Sequence, residues 1–326
     1  MTMFLQESPR NASEKLDWFG FGTLSVAIAV FQILLDRGEQ KDWFGSGEIW
    51  VEAIVASSAF YLFIVHTFTS KAPFVRPYLF RDRNFVAGTV FIAVVGLTYY
   101  ASLALQPPYL QDLMGYPVVT AGLVMGPRGV GTMAAMLVVG RLIGLVDMRM
   151  LLAVGLGLTA WAFYITTGWT PDVSQTEIVV AGLVQGAGLG FLFVPLSSVS
   201  LATLPVEQRT EGAGIYNLSR NIGSSVGISI VNALLTRNTQ VNHAEIVAHV
   251  SAVNRAFDNP MVAQFWNPIT DAGRAALDAV ITRQAEIIAY IDDYKLLMIA
   301  TLAVIPLLIV FQKTSAGAGD HAPVEL

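Results

Sequence analysis

The residues of this chain best able to do chemistry are charged side chains embedded in apolar sequence. A charge inside a hydrocarbon layer is expensive and is kept where it binds or moves something. Arg220 lies eight residues into the apolar run 212–235, roughly 12 Å along a helix, beside Asn217 and Ser219 and ahead of Gly223 and Gly227. That depth points the guanidinium to a protein interior or a wet cavity, either as a strut on neighbouring carbonyls or as a gating or substrate-side group. Arg128, in Gly126-Pro127-Arg128-Gly129, sits in the run 121–146 near its outer end, from where it can snorkel outward. Glu52, one turn into the run 49–68, is the carboxylate expected to be buried. Asp17, Glu48 and Asp147 fall at the ends of runs, and no central Asp or Glu is expected in the later ones.

Enzyme chemistry is poorly provided for. The four histidines, His66, His243, His249 and His321, have no partner at metal-ligand spacing, and His243 and His249 are too far apart for a helical zinc pair. There is no cysteine and no phosphate-cradling loop; Gly186-Ala187-Gly188-Leu189-Gly190 lies within an apolar run, where close helix packing is its use. No metal, no cofactor and no enzyme activity are expected. A net charge of −5 and a pI near 5.4 give no support for nucleic-acid binding.

The elements that must position these charges are membrane helices. Of the 326 residues 54% are hydrophobic and 13% charged, against about 25% charged in soluble domains, and the mean hydropathy is +0.57. Eight continuous runs are long enough to span a bilayer: 17–35, 49–68, 85–105, 121–146, 150–168, 177–204, 212–235 and 293–312. The expected class is therefore an all-α integral membrane protein of eight transmembrane helices. Lys and Arg cluster in alternate loops (Lys71, Arg76, Arg81 and Arg83, then Arg149 and Arg209) together with Arg10, Lys15 and Lys313. This places both termini in the cytoplasm. Residues 1–10, with Glu7 and Pro9 and no basic region followed by an apolar core, are not expected to act as a signal peptide. Residues 1–16 are expected to form a cytoplasmic segment, 17–68 a helix pair, 69–84 a basic cytoplasmic loop and 85–312 a six-helix part, with a disordered tail at 313–326. The loop 236–292 is extracytoplasmic, and its stretch 270–292 reads as an amphipathic helix lying over the bundle.

Several motifs together resemble the EmrB/QacA-type drug:proton antiporters, the fourteen-span branch of the major facilitator superfamily. They are Asp17-Trp18-Phe19-Gly20, Leu35-Asp36-Arg37-Gly38, Asp42-Trp43-Phe44, Pro108-Tyr109-Leu110-Gln111 and Asn217-xx-Arg220-xx-Gly223-xxx-Gly227. The resemblance implies that the first two spans are the additional pair of that branch and the other six its C-terminal half. The family's N-terminal six helices, with the aspartate that drives coupling, have no counterpart in this sequence.

The resemblance also implies roles. Gly140-Arg141-xx-Gly144-xx-Asp147-Met148-Arg149 is similar to the superfamily's cytoplasmic hairpin motif, making Arg141, Asp147 and Arg149 gate residues. The helix of Arg220, Gly223 and Gly227 resembles the glycine-rich helix that controls alternation. Gly182 stands where the related motif of the N-terminal half carries an arginine, so no proton-relay role carries over. Tyr99, Tyr100, Gln185 and Phe193 become cavity-lining candidates, their aromatics suited to apolar cations. The implied activity is alternating-access, proton-coupled efflux of lipophilic or cationic drugs from the bacterial inner membrane. The partners are the lipid bilayer, protons, an N-terminal transporter half and a periplasmic adaptor protein. The other reading is a truncated or structural membrane protein without transport activity.

Overall fold

A computed structural model describes residues 16–250, 265–267 and 269–311. The expected N-terminal segment up to residue 15, the loop residues 251–264 and the expected tail 313–326 lie outside the described residues. The chain divides into two compact units, residues 1–78 and 79–326.

The first unit is a hairpin of α1 (Trp18–Arg37) and α2 (Gly47–Thr69). Asp17 ties its open end together. Its carboxylate accepts from the Gly20 amide, from the Phe74 amide and from His66 Nε2, each at 2.9 Å. Burial opposes the charged form of Asp17, but these donors outweigh it and hold the carboxyl below its ordinary value. At the other end Arg37 bridges Glu48 at 2.6 Å and Glu52 at 3.6 Å.

The second unit is a helical bundle. Its members are α3 (Arg83–Pro108), α4 (Val118–Met125), α5 (Pro127–Leu142), α6 (Met148–Thr167), α7 (Gln175–Ala202), α8 (Arg209–Ala248) and α9 (Asp271–Ala303). Side-chain caps open several of them: Asp82 accepts from the Phe85 amide, Asp147 from Arg149, Ser174 from Glu177 and Thr270 from Gly273. Pro107 and Pro108 close α3, and a π-helical turn over Tyr109–Leu113 follows. Among the described residues seven helical segments are long and apolar enough to cross a membrane. The expected span 212–235 lies within α8, whose Asn217, Ser219, Arg220, Asn221, Ser224 and Ser225 dilute its apolarity. The stretch 270–292 is the first part of α9 and runs without a break into the last span. Around Pro306 the chain tightens to a 3₁₀ helix, Ile305–Val310.

Helix backbones meet at glycines. A Cβ on Gly223 would strike the Ala93 carbonyl, one on Gly227 the Leu97 carbonyl, and one on Gly96 the Arg220 carbonyl, so α3 and α8 interlock in both directions. In the same way Gly131 abuts the Leu183 carbonyl and Gly186 the Arg128 carbonyl, locking α5 to α7. Lipid tails are as apolar as leucine, so such close approach, rather than hydrophobic exclusion, drives helices together in a bilayer. Two apolar clusters fill the interior. One surrounds Leu105, Tyr109, Phe163, Trp169 and Tyr294, the other Phe91, Leu156, Leu192, Leu196 and Phe311. Between them lies a buried polar layer of Thr98, Ser102, Thr159 and Gln185.

Gly157, by contrast, has open space where a Cβ would go. Gly157→Ala should raise thermal stability in detergent by up to ~1 kcal/mol, and Gly223→Ala should lower it by ~1–3 kcal/mol through overpacking. Equal shifts for the two would contradict the interlock.

Candidate functional site

The site forms where α3, α5 and α7 meet the polar layer. Along α3, Tyr99, Ser102 and Gln106 recur at helical spacing and share one face. Ser102 is 1% exposed and Gln106 3%. Gln185 of α7 donates through Nε2 to the Ser102 hydroxyl at 2.8 Å. Arg128 of α5 donates through Nη2 to Gln106 Oε1, and its Cζ lies 5.9 Å from the centroid of the Tyr99 ring.

Arg128 is the unusual member. The residue is 6% exposed, and its Nε and Nη1 are buried without an acceptor. A guanidinium has five N–H donors and no acceptor, so most of its bonding capacity is unused. Its other polar neighbours are the Tyr99 and Tyr294 phenols, which carry no counter-charge. The sequence allows Arg128 to snorkel; the structure keeps it inside, where Gly186 lets α7 close over the start of α5.

Arg220 of α8 forms the parallel arrangement on the neighbouring helix. Its Cζ lies 5.8 Å from the Phe193 ring centroid, and its Nε is buried without an acceptor. Of the nominated lining residues the structure thus pairs Tyr99 with Arg128 and Phe193 with Arg220, and it packs Tyr100 edge-on against Tyr99 at 5.2 Å. Gln185 joins the same layer through Ser102, while Gly223 and Gly227 serve the α3–α8 contact.

The residues nominated at the cytoplasmic hairpin are placed differently. Asp147 caps α6, and Arg141 reaches its own helix at the Leu137 carbonyl, 3.3 Å away. Arg149 donates to the Phe311 carbonyl at the end of the last span. Among the described residues Asp147 forms no ion pair with either arginine. Gly144 turns the chain between α5 and α6 with φ +92°, a left-handed conformation that suits glycine. Glu52 belongs to the other unit, where its side chain, 13% exposed, faces Arg37.

One residue escaped the sequence reading. Asp293 begins the last apolar run and so looked like a boundary residue. Because α9 starts at Asp271, Asp293 instead lies well inside a helix, 1% exposed, with both carboxylate oxygens buried and lacking a donor. The available signal was helical phase: Tyr290, Asp293, Tyr294, Leu297 and Thr301 form one buried stripe. No cluster of three or more metal-type ligands occurs among the described residues.

An all-helical, membrane-spanning bundle with a charged interior and no catalytic constellation among the described residues has the character of a transporter. Residues 9–228 match the Major Facilitator Superfamily, and the chain belongs to that family of membrane transporters. It is 28% identical to the fatty acid resistance protein FarB of Neisseria gonorrhoeae over 94% of this chain and 61% of that one. It is also 28% identical to the multidrug export protein EmrB of Escherichia coli (strain K12) over 75% of this chain and 48% of that one. A multidrug resistance protein B homolog of Mycobacterium tuberculosis is 28% identical over 74% of the chain. The chain thus spans about half the length of the curated relatives it matches. A solved bacterial homolog of the human lysosomal transporter Spinster, inward-facing and unoccupied, covers 92% of the chain with a TM-score of 0.54 at 18% identity, a likeness of fold.

Gln106 supplies the carbonyl acceptor of the Arg128 guanidinium. Gln106→Ala should therefore cost ~1.5–3 kcal/mol, as loss of a hydrogen bond to a charged group does, and Ser102→Ala only ~1 kcal/mol. Thermal unfolding in detergent measures both, and equal losses would contradict the assignment.

Proposed function

We propose that this chain forms the C-terminal part of a proton-coupled exporter of small lipophilic compounds that works by alternating access. The observation carrying this reading is the charged polar layer of Arg128, Gln106, Ser102 and Gln185 on α3, α5 and α7, held by close-packed glycines, in a member of a transporter family. Buried charge of that kind is retained in membranes where something is bound or moved. Relatives named for multidrug export and for fatty acid resistance support a lipophilic cargo.

Alternating access is a rocking of two halves around a site between them, so transport requires a second six-helix half facing residues 79–326. In this reading the helix pair 18–69 joins the halves, both termini face the cytoplasm of a bacterium, the protein resides in the inner membrane, and a periplasmic adaptor receives the cargo. Tyr99, Tyr100, Gln185 and Phe193 line the path. Arg220 with Gly223 and Gly227 lets α8 slide on α3, and the hairpin of Arg141, Asp147 and Arg149 serves as the gate, with Arg149 on the Phe311 carbonyl in this conformation.

Proton coupling within this chain falls to Asp293, whose carboxylate has no fixed partner to release before it exchanges a proton. The groups around it are Asp292, Glu286, Tyr290 and Tyr294 on α9 and Tyr109 and Asp112 in the turn after α3. The ionisable residues of α6 lie elsewhere, Tyr164 exposed and Arg149 at the far end; on the matching end of α8, Arg237 is exposed and His243 binds Asp278.

Expressed with an N-terminal half from an EmrB-type exporter in an efflux-deficient strain, the chain should restore energy-dependent extrusion of a lipophilic dye. Membrane-inserted protein with no extrusion would favour a structural role instead. Asp293→Asn should abolish extrusion driven by a pH gradient while leaving the protein folded and inserted; undiminished extrusion would remove Asp293 from the coupling.

A further inference from the structure

The two aromatic faces best placed to hold a cationic cargo are already occupied by the protein's own cations. Arg128 lies over Tyr99 and Arg220 over Phe193. Neither guanidinium forms an ion pair among the described residues; Arg128 has Nε and Nη1 buried with no acceptor, and Arg220 has Nε. Asp293 does not neutralise them: its oxygens meet no donor at all, and the charged group bearing most on it is Asp292. The inner face is therefore electropositive and short of acceptors, and a cation brought there would meet like charge.

From this imbalance we propose that Arg128 is the headgroup site for amphipathic anions, carboxylates above all. The inference rests on the export function proposed above and names its substrate class. Arginine stays charged when buried, and a buried charge without a counter-ion costs several kcal/mol. A carboxylate recovers that cost because its two oxygens accept from a planar guanidinium, and charge-assisted bonds of this kind are about twice as strong as neutral ones. The surroundings suit a head-and-tail ligand. Gln106 supplies a polar wall that can release Nη2, and Gln185 with Ser102 supplies further bonding groups on the same layer. Tyr99 and Tyr100, both half-buried, give an apolar approach for the tail.

The test uses the full chain in lipid nanodiscs. Radiolabelled dodecanoate is displaced by unlabelled dodecanoate, dodecanol or dodecylamine at neutral pH, so chain length is fixed and only headgroup charge varies. Dodecanoate should compete at least ~10-fold better than either of the others, the ratio expected for one charge-assisted contact. Arg128→Gln should erase that ratio. Arg128→Lys, which keeps charge without the bidentate fork, should retain part of it. Equal competition by the three headgroups in the wild-type chain overturns the proposal even if a variant fails to fold, and so does a preference that survives in folded Arg128→Gln. The readout is independent of transport. Efflux of a lipophilic dye without carboxylate preference would sink the anion site and leave the exporter standing, and preference without efflux would do the reverse.

Discussion

Everything in the unit of residues 79–326 depends on backbones approaching one another across glycine. In a bilayer no water is released when two apolar helix faces meet, so packing and hydrogen bonding must hold helices together. Gly223 and Gly227 seat α8 on the carbonyls of Ala93 and Leu97, and Gly131 and Gly186 seat α5 on α7. These contacts leave no room for a side chain, and they set the distances at which everything else is measured. Gly186 of α7 seats the backbone of Arg128, whose guanidinium reaches Gln106 on α3, and Gly96 of α3 seats the backbone of Arg220, whose guanidinium lies over Phe193 on α7.

The same constraint turns Arg128 from a snorkelling residue into a buried one. A long side chain near the end of a span ordinarily carries its charge to the headgroups. Here the backbone it springs from is covered by α7, and the guanidinium stays among Tyr99, Gln106 and Tyr294. The outcome is an interior with more fixed positive charge than fixed acceptors. Soluble proteins neutralise such a charge with a carboxylate partner; a carrier can leave that place for its cargo. Asp293, the buried carboxylate among the described residues of the unit, stands apart on α9 without a donor, so acid and base are kept separate rather than joined in a silent ion pair.

Much of this was legible in the residues alone. The apolar runs announce the membrane helices, and the intramembrane arginines announce themselves by their cost. The glycine spacing of Gly223 and Gly227 predicts a helix contact, though not which helix receives it. The misses share a cause. Hydropathy locates the bilayer but not the helix: the amphipathic stretch 270–292 and the apolar run 293–312 read as two elements, and only their fusion into α9 carries Asp293 well into a helix. Likewise α8 runs far beyond its apolar part, to Ala248, and the hairpin motif did not reveal that Arg149 would bond to Phe311, which is distant in sequence. Side-chain partners across helices depend on rotation and register, and composition does not encode either.

Because the chain contains no cysteine, the close approach that places Arg128 against Gln106 can be tested by cross-linking without background. Cysteines introduced at positions 106 and 128 should be bridged by a short membrane-permeant bis-thiol reagent in native membranes. Adding Gly186→Leu, which forces α5 away from α7, should abolish the bridge. Failure to cross-link with Gly186 intact, or a bridge undiminished by the leucine, would contradict the claim that glycine packing builds the polar layer.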